Sequence, residues 1–368
     1  MNKKILIFYT SVGLGHKYIA ENIGWQLEQA GLQVRLEDVS KVQDGRFARI
    51  LIGTHWFINQ YLPFVWSWLY KSRLVNFLIS PLRLPLAGRN SGRVKKLILE
   101  YEPDAVITTQ TTASAAVAYL KKQRIYTRPF GIAFSDFHLH RFWLYSQADF
   151  YLANILEQKT EMLRLGIPAE KIYVCGMALR PQAEANTAAL REKLGIAAGE
   201  KAVLVGSGSL GTGLDEDLIQ KISSLQKVRV LVVCGKNEGY KERLMHKLTQ
   251  ANVKIFGFYS PMSELYAIAD IYVGKPGGLT TAEALSWGLP LLVTHWLPGQ
   301  EELNIEYLRN RQLIMLAGDA VAQVKQEIGT GEFKKQLATN PAVARLVRPE
   351  FSAQTAVLRV LHGLTNRG

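Results

Sequence analysis

The chain has 368 residues, of which 48% are hydrophobic and 20% are charged. This composition excludes a disordered chain, because there is ample apolar surface to offset the entropy of ordering, and the length suits two domains. Two cysteines cannot form a disulfide framework or a cysteine-ligated zinc site, which favours a reducing compartment. The formal net charge of +13 predicts an anionic partner: nucleic acid, an acidic membrane or a phosphorylated substrate.

Much of the positive charge lies in one segment of the first half of the chain. No acidic residue occurs between Asp44 and Glu100, while nine lysines and arginines and three of the seven tryptophans do. We call residues 45–99 the basic aromatic segment. No run of about 20 apolar residues exists there or elsewhere, so the sequence predicts no transmembrane helix.

The first half of the chain alternates predicted strands and helices. The apolar run at residues 4–9 is too short for a signal peptide and predicts a buried first strand instead. Strands are predicted at 4–9, 33–38, 105–108, 129–134 and 150–153, and helices at 18–30, 94–101, 112–122 and 157–165. Alternation of this kind predicts a parallel sheet with helices on both faces.

The same pattern restarts after residue 180, behind a polar stretch at 182–198 that predicts a linker and a short helix. Strands are predicted at 202–205, 228–234, 254–256, 271–274 and 289–294, and helices at 214–225, 240–248, 262–269 and 281–287. The sequence therefore predicts an α/β protein with domains at 1–180 and 181–351. The remaining residues, 352–368, predict a helix whose apolar positions must pack on another element, and we expect that to be the first domain.

Gly13 and Gly15 lie between the first predicted strand and helix, where ligands bind in open α/β sheets. Glycines let the backbone approach a ligand, and His16 would project from the start of the helix. The positive end of the helix dipole favours the neutral imidazole that a general base needs. A tight turn with His16 as a capping residue is the alternative. A dinucleotide fingerprint needs a third glycine at position 18, where this sequence has Tyr18, so the fingerprint is absent.

Gly206, Ser207 and Gly208 open a glycine-rich loop after the first predicted strand of the second domain. The loop lacks both the acidic residue that a dinucleotide fingerprint has about 20 positions on and the GK[ST] ending of a nucleoside-triphosphate loop. It predicts a cradle for a diphosphate. Asp215 and Asp217 form a DxD spacing, but they lie at a predicted helix start, where acidic residues complement the dipole, so no metal site is predicted.

Gly277, Gly278 and Thr280 belong to the densest group of candidate binding residues. They join a predicted strand to a predicted helix, and exposed backbone N–H groups at a helix start bind phosphate. Glu283, one turn into the helix, could accept both hydroxyls of a ribose. An ordinary tight turn is the alternative. The polar residues of a predicted loop after the next strand, at 298–304, could bind sugar hydroxyls: Gln300, Glu301 and Asn304.

Together these motifs closely resemble the inverting, two-Rossmann-domain (GT-B) glycosyltransferases that include MurG. The resemblance is closer still to monogalactosyldiacylglycerol synthases and processive diacylglycerol glucosyltransferases. Residues 134–143 look like a segment of that family that contains an aspartate, a histidine and a tryptophan. Residues 175–181 look like another, with Ala178 in place of the usual proline. The likeness covers nearly the whole chain and does not fix the sugar.

The resemblance implies two Rossmann-like domains facing across a cleft, with the acceptor on the first and the UDP-sugar donor on the second. It implies inverting transfer of galactose or glucose from a UDP-hexose to diacylglycerol or a related glycolipid, with release of UDP and without a cofactor or metal. His16 matches the proposed base, and Asp136 would orient it, balance its charge or be the base itself.

The resemblance also assigns binding roles. Gly13 and Gly15 would form an acceptor or anion loop. On the donor side, the resemblance places Gly206, Ser207, Gly208, Gly277, Gly278 and Thr280 at the diphosphate, Glu283 at the ribose, the backbone around Phe258 and Tyr259 at the uracil, and Gln300, Glu301 and Asn304 at the hexose or its neighbouring loop.

The basic aromatic segment then predicts contact with an anionic bilayer. Aromatic rings favour the headgroup depth, and each lysine or arginine near such a surface is worth about 1 kcal/mol. The expected contacts are Trp56, Phe64, Trp66, Trp68, Lys71 and Arg73. We therefore expect a cytoplasmic protein on the inner face of the membrane. An ordinary core helix with a solvated basic face is the alternative.

Three other functions compete with this interpretation. A nucleic-acid-binding protein fits the charge, but the sequence has none of the usual modules, so no nucleic-acid partner is predicted. A UDP-N-acetylglucosamine 2-epimerase would share the fold, but the basic aromatic segment argues against that soluble enzyme. A MurG-like UDP-N-acetylglucosamine transferase acting on a polyprenyl-linked acceptor would use much the same donor site and is the main alternative.

Overall fold

The computed structural model divides into two compact units. Unit 1 contains Met1–Arg180, Leu297–Leu303 and Arg348–Gly368, and unit 2 contains Pro181–Trp296 and Asn304–Val347. The structure describes residues 3–11, 14–41, 62–72, 75, 83–89, 91–182, 186–209, 211, 213–347 and 349–365.

Unit 1 is built on a parallel sheet. Its strands are β1 (Lys4–Tyr9), β2 (Gln33–Asp38), β3 (Ala105–Thr108), β4 (Phe130–Ala133), β5 (Phe150–Ala153) and β6 (Ile172–Val174). They are hydrogen-bonded in the order β2-β1-β3-β4-β5-β6. The central strands are buried along nearly their whole length, as apolar strands covered on both faces must be.

Helices pack around this sheet, and three of them begin shortly after the carboxyl ends of β1, β3 and β5. In chain order they are α1 (Leu14–Gln29), α2 (Pro63–Lys71), α3 (Arg83–Arg89), α4 (Gly92–Tyr101), α5 (Thr111–Lys122) and α6 (Leu156–Arg164). None of the helices within the described ranges has the length and apolar character needed to cross a bilayer.

Unit 2 repeats the design. Its strands are β7 (Lys201–Gly206), β8 (Val228–Val233), β9 (Val253–Phe256), β10 (Ile271–Gly274), β11 (Leu291–Val293) and β12 (Met315–Leu316), all parallel in the order β12-β11-β10-β7-β8-β9. The helices are α7 (Thr187–Lys193), α8 (Glu216–Ser223), α9 (Glu238–Lys247), α10 (Met262–Ile268), α11 (Gly278–Ser286), α12 (Gln300–Asn310, of which residues 300–303 group with unit 1), α13 (Ala320–Thr330), α14 (Glu332–Thr339) and α15 (Pro341–Val347). The predicted pair of parallel α/β sheets is confirmed.

The last helix, α16 (Ala353–Thr365), packs in unit 1 against α1 and β5. Its apolar positions Ala356, Val357 and Leu361 are buried. Helical spacing of these residues made a packed helix predictable, and the structure confirms that it packs on the first domain.

The structure corrects one prediction on the donor side. Residues 298–304 were predicted as a polar loop, but α12 begins at Gln300, so Gln300, Glu301 and Asn304 lie on a helix. Acidic residues in the first turn, Glu301 and Glu302, complement the helix dipole there. Residues 297–303 and 348–351, which the sequence assigned to the second domain, group with unit 1 instead.

Candidate active site

In unit 2, the start of α11 presents backbone N–H groups without a side-chain cap. The helix follows β10 after three residues, and its N-cap is Gly277, which has no side chain to accept a hydrogen bond. The first N–H groups of a helix have no partner within it. A short turn that ends in an uncapped helix start is a site suited to phosphate, because the N–H groups and the helix dipole both favour an anion.

The loop after β7 lies beside that turn. β7 and β10 pair in parallel register, with Gly206 opposite Gly274. A Cβ on Gly274 would collide with the carbonyl oxygen of Gly206, so the two backbones require glycine to approach this closely. Gly208 has a φ of +71°, and a Cβ there would lie 2.8 Å from Cε of Lys275. Lys275 therefore crosses the glycine loop and brings a cation to the predicted diphosphate cradle.

Two buried hydroxyls belong to these two segments, one in the loop after β7 and one at the start of α11. Ser207 and Thr281 are fully buried, and neither Ser207 Oγ nor Thr281 Oγ1 has a hydrogen-bond partner among the described residues. Buried polar groups in proteins are nearly always hydrogen-bonded. Since Ser207 follows β7 and Thr281 lies in the first turn of α11, these hydroxyls fit the oxygens of a bound phosphate.

Glu283 lies in the second turn of α11. Tyr266 Oη donates a hydrogen bond of 3.3 Å to Glu283 Oε2. Burial raises the pKa of Glu283 to about 7, although the hydrogen bond from Tyr266 acts in the opposite direction. Near neutral pH this carboxyl group can therefore gain or lose a proton when a ligand with hydroxyl groups binds.

Phe258 and Tyr259, whose backbone is predicted to meet uracil, follow β9. Phe258 is 46% exposed, and Nζ of Lys236 lies 5.9 Å from its ring centroid. Tyr259 Oη donates a 2.7 Å hydrogen bond to Glu264, which fixes the second ring. An exposed ring at the carboxyl end of a parallel strand is available to stack on a planar base.

In unit 1, His16 lies in the first turn of α1, after β1. Thr109, at the end of neighbouring β3, donates from Oγ1 to the carbonyl oxygen of His16 at 3.0 Å. The imidazole centroid is 5.7 Å from the ring of Trp143. Burial lowers the pKa of His16, while the carboxylate of Asp136 and the backbone of Thr109 oppose that shift. The imidazole is therefore neutral at neutral pH, as a general base must be.

Asp136 follows β4 and is buried. Its Oδ2 accepts hydrogen bonds from Ser135 Oγ at 2.9 Å and from Gln300 Nε2 at 2.7 Å. Its backbone carbonyl accepts from the side-chain amides of Asn154 and Gln158, each at 2.9 Å. The carboxylate is thus held in one position, close enough to His16 to raise the pKa of the imidazole.

The neighbours of Gln300 take different roles. Glu301 Oε2 accepts from the backbone N–H of Leu297 at 2.7 Å, and the side chain is buried. Of the two predicted contacts, with the hexose or with its neighbouring loop, this geometry favours the loop. Asn304 is fully buried and belongs to unit 2.

The predicted membrane residues are described only in part. Phe64 is 87% exposed and Trp68 is 64% exposed, both on α2. The side chain of Lys71, at the end of α2, pairs with Glu302. Trp56, Arg73 and the side chain of Trp66 lie outside the described residues, as does Gly13.

The sequence motifs did not single out two further candidate residues, Lys275 and Glu302. Lys275 stands inside the predicted phosphate motif, so its position there was an available signal. Asp215, by contrast, caps α8 by accepting from the N–H groups of Asp217 and Leu218, which is a structural role. No cluster of three potential metal ligands occurs within the described part of the chain.

Comparison with known proteins identifies the family. Residues 31–179 match the family described as monogalactosyldiacylglycerol (MGDG) synthase, and residues 188–325 match glycosyl transferases group 1. A processive diacylglycerol beta-glucosyltransferase of Bacillus cytotoxicus is 30% identical over 385 residues, covering 99% of this chain and 96% of the relative. The chain belongs to this glycosyltransferase family.

Solved structures agree on the fold of this glycosyltransferase. The glycosyltransferase SnogD from Streptomyces nogalater aligns with a TM-score of 0.64 at 14% identity, over 100% of both chains. MurG from Acinetobacter baumannii aligns with a TM-score of 0.57 at 17% identity, again over 100% of both. At these identities the likeness shows the GT-B fold alone.

The raised pKa of Glu283 predicts a pH-dependent effect on the stability of the glycosyltransferase. Its ionisation is suppressed in the folded state, so its contribution to stability is present below pH 4.5 and lost as the pH rises through about 7. Glu283→Gln removes the buried charge. Relative to wild type, its free energy of unfolding should rise between pH 4.5 and pH 8 by on the order of 3 kcal/mol.

Denaturant unfolding at pH 4.5 and pH 8 measures this effect, with the exposed Glu306→Gln as the matched control. A stability difference between Glu283→Gln and wild type that stays constant across this range would contradict the assigned burial of the carboxyl group.

Proposed function

We propose that the protein transfers glucose from UDP-glucose to the hydroxyl of diacylglycerol at a membrane surface, with inversion at the anomeric carbon and release of UDP. The observation that carries the proposal is the 30% identity, over 99% of this chain, to a protein named processive diacylglycerol beta-glucosyltransferase. The geometry of each unit supports a part of the reaction.

On the donor side, the start of α11 would receive the diphosphate. Its uncapped N–H groups, the buried hydroxyls of Ser207 and Thr281 and the ammonium of Lys275 are all suited to phosphate oxygens. Glu283 would accept the ribose hydroxyls, and Phe258 would stack on uracil. Fixed dipoles aimed at a leaving group stabilise the transition state because they need no reorganisation when charge develops.

On the acceptor side, we assign the general base to His16 and charge balance to Asp136. Neutral His16 would take the proton of the acceptor hydroxyl while the hydroxyl oxygen forms a bond to the anomeric carbon. The bond between that carbon and the β-phosphate oxygen breaks, and UDP leaves with the electron pair. The Asp136 carboxylate would stabilise the imidazolium, and two hydrogen bonds to Oδ2 support this role over that of a base.

At the membrane, α2 would supply the contact. Phe64 and Trp68 are largely exposed aromatic side chains one helical turn apart. Large exposed apolar side chains beside basic residues favour the interface of an anionic bilayer. Lys71 on the same helix pairs with Glu302, so the two exposed aromatic side chains carry the proposed contact.

Product analysis tests the reaction directly. The protein is incubated with diacylglycerol in anionic vesicles, or with a polyprenyl-diphosphate-linked sugar, and with UDP-glucose, UDP-galactose or UDP-N-acetylglucosamine in turn. We expect glucosyl-diacylglycerol by mass spectrometry, with a β-anomeric proton by NMR. A product formed only from UDP-N-acetylglucosamine and the polyprenyl acceptor would instead support the MurG-like alternative and overturn the proposal.

Replacement of His16 tests the assigned base. His16→Ala should lower kcat by about 10²- to 10⁴-fold, the usual contribution of a general base, because nothing else takes the proton. Since the UDP-binding residues lie elsewhere, the Kd for UDP measured by calorimetry should stay within about twofold. His246→Ala, at an exposed histidine of α9, is the control. Wild-type kcat in His16→Ala would remove the residue from the mechanism.

The double variant Phe64→Ser and Trp68→Ser tests the membrane contact. The fraction of protein that co-sediments with anionic vesicles should fall about tenfold or more, because serine side chains bury no aromatic surface at the interface. The melting temperature should not change, since both side chains are exposed in the protein. Met245→Ser, at an exposed apolar position of α9, should leave vesicle binding intact. Unchanged binding of the double variant would contradict the role of α2.

A further inference from the structure

Helix α2 has two distinct faces. Phe64 and Trp68 lie on the exposed face, whereas Ser67 is buried and Tyr70 is only partly exposed. Position 67 is a helical neighbour of positions 70 and 71, which lie three and four residues further on. Ser67 and Tyr70 therefore lie on the side of α2 away from solvent, with the exposed Lys71 at its edge.

Polar side chains on this side of α2 bind the carboxylate of Glu302, which lies on α12. Glu302 Oε2 accepts a 2.8 Å hydrogen bond from Ser67 Oγ and pairs with the ammonium of Lys71. The backbone N–H of Gly299 also donates to the carboxylate. Although burial opposes it, these donors hold the pKa of Glu302 below its ordinary value, so the group is ionised at neutral pH.

The first turn of α12, which carries Glu302, also contacts Asp136 through the side chain of Gln300. Residues two positions apart on a helix point to different sides, so Gln300 and Glu302 diverge from the first turn of α12. Gln300 Nε2 donates to Asp136 Oδ2 at 2.7 Å, while Glu302 is bound to α2. All of these residues belong to unit 1.

A second set of hydrogen bonds joins α2 to the loop after β4. Tyr70 of α2 shares a 2.9 Å hydrogen bond with His138 Nε2, and His140 Nε2 donates to the carbonyl oxygen of Tyr70 at 2.8 Å. His138 and His140 lie in the same loop as Asp136. Helix α2, the start of α12 and the loop after β4 are thus joined in a ring of polar contacts that passes through the Asp136 carboxylate.

We propose that Glu302 is a positioning residue that, anchored on Ser67 and Lys71, holds Gln300 against Asp136. The helix that carries the proposed membrane contacts then also sets the position of the Asp136 carboxylate beside the proposed base, a role that rests on the proposed function. A partly exposed ion pair contributes little to stability, so its loss should move Gln300 without unfolding the protein.

The decisive variant is Glu302→Gln, which keeps the size of the side chain and its ability to accept from Ser67 but loses the charge. We expect kcat for glucosyl transfer to fall about tenfold or more, because small displacements at a reacting group are costly. The KM for acceptor and the Kd for UDP should stay within about twofold. Glu306→Gln, the same change at an exposed position one turn along α12, should retain wild-type kcat.

A double-mutant cycle tests whether Glu302 acts through α2. In a background that carries both Ser67→Ala and Lys71→Met, the effect of Glu302→Gln on kcat should largely disappear, since both contacts of Glu302 with α2 are already broken. Ser67→Ala offers a milder break should Glu302→Gln fold poorly, and it should lower kcat in the same direction. Fully additive effects, or wild-type kcat in Glu302→Gln, would overturn the proposed role.

Hydrogen exchange separates this inference from the proposed function. Amides 300–303 should exchange faster in Glu302→Gln than in wild type or Glu306→Gln, whatever reaction the protein catalyses. Inactivity of the wild type with every UDP-sugar would reject the proposed function, whereas unchanged exchange in Glu302→Gln would reject the positioning role alone.

Discussion

The N–H groups at the start of α11 must find an acceptor outside the helix, and the surrounding part of unit 2 is organised by that requirement. Gly277 leaves the helix uncapped, and Gly274 lets the backbone of β7 approach. The hydroxyls of Ser207 and Thr281 remain buried without a partner among the described residues. An anion with several oxygens meets all of these needs, which is why a diphosphate is the ligand we assign to this place.

In unit 1, the group that we propose as the base, His16, stays neutral beside a carboxylate. Burial lowers the pKa of His16 while Asp136 raises it, and burial prevails. The carboxylate is itself fixed by hydrogen bonds from Ser135 and Gln300. An imidazole held in this way can accept a proton and be stabilised once it has done so, and this is what glycosyl transfer to a hydroxyl requires.

Much of the fold and the location of both candidate sites could be predicted from the sequence, because they follow from local patterns. Buried strands read as apolar runs, and the turns at Gly206 and Gly277 follow such runs directly. The helical start at Gln300 was missed because a polar stretch after Pro298 and Gly299 fits a loop equally well. The partnership of Glu302 with α2 joins residues 235 positions apart, and a single sequence carries no signal for such a contact.

The most direct test is a crystal structure of the protein with UDP. We expect the diphosphate oxygens to lie within hydrogen-bond distance of the N–H groups at the start of α11, with the ribose hydroxyls at Glu283 and the uracil on Phe258. A nucleotide bound at any other place in the molecule would overturn the assignment of the donor site.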